Sequence, residues 1–200
     1  MSALPQKQWT PEEYLAFERA SDEKHEFVAG EIFNMSGASF AHNMILANVA
    51  RKLGNQLEGR NCAVLHNDMR VRVRWRDYVY PDVVVVCGDP QLAQEDNLLN
   101  PTLIIEVLSP STEQYDKSIK FDLYRSIESV QEYVLIAQDR PHITHYIRQP
   151  NQTWLFSEQN ALTGSLELPS INCVLAIEEI YAKVTFDPPT NELPPSENPS

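Results

Sequence analysis

The sequence of 200 residues predicts one α/β (α+β) domain, in which a mixed β-sheet is flanked by α-helices. Three observations predict this class. Apolar runs at residues 83–86 and 103–108 are typical of strands that are covered on both faces. Amphipathic helical periodicity lies on either side of these runs. A hydrophobic fraction of 42% with 22% charged residues is ordinary for a globular protein and large enough to form a core.

The N-terminal part is predicted to contain two helices separated by a hairpin. The capping-box pattern at Thr10 predicts a helix that runs to about residue 20. Residues 26–35 carry two apolar patches around Ala29-Gly30, as expected of a β-hairpin with a tight turn. Apolar residues at steps of three and four then predict an amphipathic helix over residues 39–57.

Residues 70–75 alternate strictly between basic and apolar side chains. This pattern predicts a half-buried strand with a basic outer face. Further along the chain, cap and turn residues precede a helix predicted over residues 112–127. Two more strands are predicted at residues 133–137 and 143–147, and residues 153–156 are a candidate to pair with them.

The C-terminal segment differs in composition from the rest of the chain. Residues 187–200 contain five prolines and show no apolar period, so we expect a disordered, Pro-rich tail. The single domain is therefore predicted to occupy residues 1–186.

The formal charge of −12 argues against a protein that binds polyanions without specificity. Positive charge is nevertheless concentrated, because residues 51–76 hold seven basic side chains against two acidic ones. No apolar run is long enough to span a membrane, and no secretory signal is evident. Cys62, Cys87 and Cys173 share no C-x-x-C spacing, so we expect reduced thiols in a cytoplasmic protein.

Two carboxylates lie where the chain is predicted to be buried. Asp82 directly precedes one apolar strand, and Glu106 lies in the middle of the next. A buried carboxylate must be neutralised, paired or bound to a cation. A divalent cation such as Mg²⁺ between the two would meet this need. The alternative is structural, with Asp82 capping a turn and Glu106 pairing with an arginine of residues 70–76.

The helix that follows presents Asp116, Lys120 and Tyr124 on one face, because they are spaced by four. An adjacent apolar stripe of Ile119, Leu123 and Ile127 is predicted to pack on the sheet. Taken alone, this spacing favours an ordinary surface ion pair of Asp116 and Lys120 with an adjacent aromatic residue.

Together these residues form an ordered set of short motifs. The set comprises Tyr80-Pro81-Asp82-Val83, residues 106–112 (EVLSPST), Asp116, Lys120, Tyr124 and Glu132-Tyr133, with Glu26, Gly30, Met35, Ser36 and His42 upstream. In this order and spacing, residues 10–182 resemble the Uma-type restriction endonuclease family of the PD-(D/E)XK nuclease superfamily. The resemblance implies a restriction-endonuclease-like fold with a metal site at the ends of strands.

The resemblance also implies roles for particular residues. Asp82 and Glu106 match the acidic residues of the motif and would hold Mg²⁺ or Mn²⁺, with Glu26 as a further metal ligand. Leu108 stands where the motif has lysine, and Lys120 is the residue that matches a lysine moved to the following helix. Asp116 would orient Lys120, and Tyr124 would either support the helix or contact a phosphate.

The predicted activity is endonucleolytic hydrolysis of DNA by metal-activated water. A lysine beside carboxylates keeps its charge and is a poor base, so Lys120 is expected to orient the water and stabilise charge on the phosphate. The alternative is an inactive nuclease-like module that binds DNA or regulates, which Leu108 favours. A carboxylate-pair hydrolase of sugars is a more distant alternative, because few aromatic residues lie near the pair.

DNA is the partner that the resemblance implies, and a homodimer is expected because duplex cleavage requires two active sites or two visits. Arg70, Arg72 and Arg74 are the predicted nucleic-acid-binding residues. His42 is either a site residue or part of the local structure at the start of its helix.

Overall fold

The computed structural model describes residues 8–35 and 37–186. The strands are β1 (His25–Val28), β2 (Glu31–Asn34), β3 (Cys62–His66), β4 (Arg70–Val73), β5 (Asp77–Val79), β6 (Val83–Cys87), β7 (Leu92–Ala93), β8 (Asn97–Leu98), β9 (Leu103–Leu108), β10 (Glu132–Ala137), β11 (Ile143–Arg148), β12 (Trp154–Gln159), β13 (Ser165–Leu168) and β14 (Cys173–Ala176). The α-helices are α1 (Pro11–Ala20), α2 (Phe40–Leu57), α3 (Glu113–Tyr115), α4 (Phe121–Tyr124) and α5 (Ile177–Ile180). A π-helical turn (Asp116–Lys120) joins α3 to α4, and a 3₁₀ turn (Pro169–Ile171) precedes β14. The predicted tail lies outside the described residues.

The strands form two six-stranded mixed sheets and one hairpin. The central sheet has the order β12-β11-β10-β9-β6-β3, and the second sheet has the order β2-β1-β5-β4-β8-β7. In the central sheet β9 and β10 run parallel, and their neighbours run antiparallel. The helical segment between β9 and β10 is the crossover that a parallel pair requires. The predicted class of mixed sheet with flanking helices is confirmed, with two large sheets rather than one.

The central sheet is covered on both faces, as its apolar runs predict. Val83 and Val85 of β6 pack in one cluster with α2, α5 and the β13–β14 hairpin. Val84 and Val86 face the opposite cluster, which includes α4 and the β4–β5 hairpin. Because successive side chains of a strand point to opposite faces, a strand buried on both sides must be continuously apolar.

The N-terminal elements form as the sequence predicts. Thr10 and Glu13 exchange the two hydrogen bonds of a capping box at the start of α1. The turn between β1 and β2 places Ala29 and Gly30 at positive φ, at 54° and 88°. Ser39 caps α2, and its hydroxyl accepts a hydrogen bond from the backbone N–H of His42. None of the helices in the described part of the chain is long and apolar enough to cross a bilayer.

The helix predicted over residues 112–127 is interrupted by the π-helical turn and ends at Tyr124. Leu123 and Ile127 are buried, but Ile119 is 48% exposed, so the predicted apolar stripe is wrong at that position. A π turn contains one more residue than an α turn and therefore rotates the side chains within it. Asp116 and Lys120 are the buried residues of this turn.

The strand predicted over residues 70–75 is also shorter than expected. β4 ends at Val73, and a turn follows in which Arg74 has a φ of +54° and Trp75 is exposed. The predicted basic outer face is wrong at Arg70, which is 4% exposed. Its guanidinium donates hydrogen bonds to Asp96 and Asn97, and these contacts with the β8 region compensate the buried charge.

The expectation of three reduced cysteines is wrong for two of them. Cys62 of β3 and Cys87 of β6 are directly paired in the antiparallel ladder and form a disulfide. Because they are 25 residues apart in the chain, their spacing does not reveal this pairing. Cys173 is free and buried.

Candidate active site

Asp82 and Glu106 lie side by side because β6 and β9 are neighbours, with Val83 paired to Ile105. The backbone N–H of Asp82 donates to Oε2 of Glu106 at 3.2 Å. In return, the backbone N–H of Val107 donates to Oδ2 of Asp82 at 2.7 Å. Each carboxylate is therefore held by the backbone of the other's strand, and this fixes the orientation of both.

Lys120 contacts Glu106 and two further carboxylates. Its Nζ atom lies 3.0 Å from Oε1 of Glu106 and 3.0 Å from Oε1 of Glu26. Oδ1 of Asp116 lies 3.5 Å from the same nitrogen. The structure thus brings together the five charged residues that the sequence predicts for the site.

Glu26 reaches the site from β1 of the second sheet. Its Oε1 atom also accepts a hydrogen bond from the backbone N–H of Tyr80, at 3.1 Å. The side chain is buried and serves as a partner of Lys120 and of the chain just before Asp82. Its predicted role as a metal ligand stays a prediction.

Two tyrosines support the cluster through their hydroxyl groups. Tyr124 donates to Oε1 of Glu106 at 2.9 Å, and its predicted supporting role stays a prediction. Tyr133 of β10 donates to the backbone carbonyl of Asp116 at 3.0 Å and anchors the π-helical turn. Burial raises the pKa of both phenols well above the ordinary value, so both hydroxyls remain donors.

The cluster has an excess of negative charge. Glu26, Glu106 and Asp116 contact the ammonium of Lys120, and Asp82 adjoins Glu106, so four carboxylates share this one lysine. Burial raises the pKa of Glu106 well above its ordinary value, although Lys120 opposes the shift. Burial also raises the pKa of Asp116. Burial alone would lower the pKa of Lys120, but the surrounding carboxylates outweigh it and hold the pKa well above normal.

His42 has both of the roles that the sequence left open. Its backbone N–H takes part in the cap of α2, and its ring Nε2 lies 3.1 Å from Oδ1 of Asp82. The imidazole therefore contacts the one carboxylate of the cluster that Lys120 does not reach within the distances of an ion pair.

The charged cluster lies in a cleft of about 920 Å³ between the two sheets and α2. The cleft is also lined by Ser109 and Thr112 of the motif at residues 106–112. Further lining side chains were not indicated by the sequence motifs, and these include Phe33, Asn67, Tyr115 and Gln138. Tyr115 also lies close to the charged cluster, because its ring centroid is 5.7 Å from Nζ of Lys120. In a regular helix it would point about 100° away from Asp116, so its sequence position gave no signal.

The donor atoms suit a hard divalent cation. Asp82 and Glu106 offer carboxylate oxygens, and Oδ1 of Asp116 is buried without a hydrogen-bond partner. Within residues 8–35 and 37–186, no three His, Cys, Asp or Glu side chains converge on a common metal position. Mg²⁺ is commonly bound through one or two carboxylates with water completing its shell, so the Asp82–Glu106 pair fits this kind of site.

The three predicted nucleic-acid-binding arginines do not join the site. None of them is among the described residues that line the cleft. Arg70 is buried and forms an ion pair with Asp96, and Arg72 is half-buried. Arg74 is exposed and lies beside Arg125 and Arg148 in a separate depression of about 390 Å³. β4 ends at Val73, and the turn that follows separates Arg74 from Arg70 and Arg72. The three side chains therefore do not form the predicted phosphate track along one strand face.

Two proteins of Synechocystis are similar to most of the chain. The chain is 34% identical over 185 residues to the uncharacterized protein slr1290 of Synechocystis, covering 92% of this chain and 97% of that protein. It is 38% identical over 161 residues to the uncharacterized Synechocystis protein sll1609, covering 79% of this chain and 91% of that protein.

A solved structure shares the fold. It is described as a "putative nuclease belonging to DUF820" from Anabaena variabilis, and it superposes with a TM-score of 0.71 at 16% identity. The match covers 86% of this chain and 97% of that one. The family model named Uma2, described as "Putative restriction endonuclease", matches residues 11–178. On this match the chain belongs to the Uma2 family.

Proposed function

We propose that the protein is a metal-dependent endonuclease that hydrolyses phosphodiester bonds of DNA. The observation that carries the proposal is the hydrogen-bonded pair of Asp82 and Glu106 in the cleft, with Lys120 at 3.0 Å from Glu106. Membership of the Uma2 family supports a nuclease in general terms. The bound metal, the DNA substrate and the catalytic role of each residue belong to the same proposal.

Asp82 and Glu106 would hold Mg²⁺ or Mn²⁺ through their carboxylate oxygens, and Glu26 is the proposed further ligand. When bound, a divalent cation supplies an activated water and stabilises charge on the phosphoryl group. The excess of negative charge in the buried cluster supports a cation at this place.

Lys120 acts as a fixed positive charge. Its ammonium is buried and faces Glu26, Glu106 and Asp116, so it does not release a proton readily. A charged donor of this kind orients the attacking water and stabilises the negative charge that develops on the phosphate. Asp116 and the hydroxyl of Tyr124 hold the lysine and Glu106 in place. His42 fixes the orientation of Asp82.

Plasmid cleavage tests the proposal. Wild-type protein with Mg²⁺ is expected to nick or linearise supercoiled DNA, and EDTA is expected to stop the reaction. Asp82→Ala and Lys120→Ala are each expected to reduce the rate at least about 100-fold, as for other groups that stabilise transition-state charge. Asp89→Ala is the matched control, because Asp89 is an exposed carboxylate on the loop after β6. Cleavage that neither active-site substitution affects would overturn the proposal.

A second candidate function is an inactive, nuclease-like module that binds DNA or regulates. Leu108 favours it, because this buried apolar residue replaces the lysine of the motif. Binding of Mg²⁺ and DNA without turnover on any nucleic acid would support this alternative. The homodimer and the cytoplasmic location stay predictions, and light scattering of the purified protein would measure the oligomeric state.

A further inference from the structure

The cleft around Asp82 and Glu106 has little positive charge to attract a phosphate backbone. Among its described lining residues, Lys24, Lys120 and His42 are the only basic side chains. Lys120 is buried among carboxylates, and Lys24 forms an ion pair with Asp68. Apart from a bound metal, the described walls of the cleft therefore offer little electrostatic affinity for phosphates.

The same cleft has an aromatic surface. Phe33 lies on β2, an edge strand of the second sheet, and it is 43% exposed. Its ring centroid lies 6.3 Å from that of Tyr115, and both rings line the cleft. An exposed ring in a binding cleft is a stacking platform for a nucleobase, since every base has a flat π-face.

Side-chain amide groups also line the cleft. Asn67 is close to the carboxylate pair, because its backbone N–H donates to the carbonyl of Asp82. Gln138 lines the cleft as well, and its Oε1 atom accepts a hydrogen bond from Ser39. Side-chain amides can donate to and accept from the edges of bases. The cleft is thus better equipped to contact bases than phosphates.

A paired duplex cannot use these groups fully. In a duplex the base faces are stacked on each other and the Watson–Crick edges are occupied. An unpaired strand exposes both the faces and the edges. Phe33 could then stack on a base, while Asn67 and Gln138 bond to its edge.

We infer that the substrate is single-stranded DNA, or DNA whose nucleotides are unpaired where they enter the cleft. This inference rests on the proposed nuclease function and specifies its substrate. Phe33 is the stacking residue, and its position in the cleft next to Tyr115 places the base beside the carboxylates and Lys120.

The test compares one labelled 20-nucleotide strand with its blunt duplex, each incubated with Mg²⁺. Wild-type protein is expected to cleave the single strand with a kcat/KM at least ten-fold higher than the duplex. Phe33→Ala is expected to raise KM for the single strand about ten-fold, with a smaller change in kcat, since stacking acts on binding. Phe33→Tyr keeps an aromatic ring and is expected to stay close to wild type. Phe156→Ala is the matched control, because Phe156 is an exposed aromatic residue on β12 that does not line the cleft.

Equal or better cleavage of the blunt duplex would overturn the inference and leave the nuclease proposal standing. An unchanged KM in Phe33→Ala would overturn the role of Phe33. If neither form is cleaved, the proposed function fails, and fluorescence anisotropy with the same two oligonucleotides decides the inference separately. Tighter binding of the single strand that Phe33→Ala weakens would support it, and equal or undetectable binding of the two forms would overturn it.

Discussion

The Nζ atom of Lys120 lies 3.0 Å from Oε1 of Glu106, although Glu106 lies on β9 and Lys120 lies in the helical crossover between β9 and β10. The π-helical turn buries Lys120 and directs it onto the middle of β9. Lys120 therefore brings a positive charge to Glu106 from the helical segment, while Leu108 of β9 is buried and apolar. The contact between Lys120 and Glu106 is therefore expected to matter both for the stability of the buried cluster and for the proposed catalysis.

Replacing Lys120 by Met is expected to destabilise the protein by about 3 to 5 kcal/mol, because it leaves buried carboxylates without their counter-charge. Urea unfolding at neutral pH without metal would measure the change. Lys117→Met is the control on the same helical segment, because Lys117 forms a partly exposed pair with Glu113. A pair of this kind contributes only about 0.3 to 0.5 kcal/mol. Equal effects of the two substitutions would show that the charge of Lys120 does not stabilise the buried carboxylates.

The raised pKa of Glu106 predicts a pH dependence of stability in the metal-free protein. In the folded state the carboxyl holds its proton to a higher pH than in the unfolded chain. Its contribution to stability is therefore complete below the unfolded pKa and is lost as the pH rises through the folded pKa.

Denaturant unfolding of wild type and Glu106→Gln, at pH values between the unfolded and the folded pKa of Glu106, would isolate the contribution of this carboxyl to stability. The free energy of unfolding of wild type is expected to fall relative to that of the variant as the pH rises from acid toward neutral. Saturating Mg²⁺ is expected to reduce this fall, because a cation favours the ionised carboxylate. A difference between the two proteins that is constant with pH would be evidence against the raised pKa.

His42→Ala is expected to weaken Mg²⁺ binding about 10- to 100-fold, because Asp82 loses the ring that orients its Oδ1 atom. Isothermal titration calorimetry would measure the affinity. His66→Ala provides the comparison, since His66 is an exposed histidine at the end of β3. An affinity that is the same in all three proteins would show that the His42–Asp82 contact has no part in metal binding.

The disulfide between Cys62 and Cys87 is expected to stabilise the oxidised protein by about 3 to 4 kcal/mol, because it closes a loop of 25 residues. The free energy of unfolding would be compared with and without dithiothreitol. Cys173→Ser is the control, because this thiol is free. If the reductant does not change the stability of wild type, or lowers that of the double variant Cys62→Ser/Cys87→Ser equally, the disulfide does not contribute.

The sequence is most informative where local rules decide the structure. The capping box at Thr10, the turn at Ala29-Gly30 and the apolar run of β6 each specify an element from neighbouring residues, and all three form as predicted. The order of carboxylates and lysine along the chain also brings the predicted site together, with Lys120 within 3.0 Å of Glu106.

Long-range contacts decide the features that the sequence did not predict. The pairing of Cys62 with Cys87 depends on the register of two strands, and the burial of Arg70 depends on Asp96 and Asn97, which lie at the neighbouring strand β8 but 26 and 27 residues further along the chain. Tyr115 enters the cleft because the helix contains a π turn, which periodicity does not reveal. The alternation of basic and apolar residues cannot show whether the basic side chains bind phosphate or form ion pairs within the protein.

If Asp82 and Glu106 form a divalent metal site, anomalous X-ray diffraction from a crystal soaked in Mn²⁺ will detect the ion. We expect one strong manganese peak within coordination distance of carboxylate oxygens of both Asp82 and Glu106, and no peak there in crystals of Asp82→Ala. A fully soaked crystal of the wild-type protein that shows no manganese between these two residues would contradict this expectation.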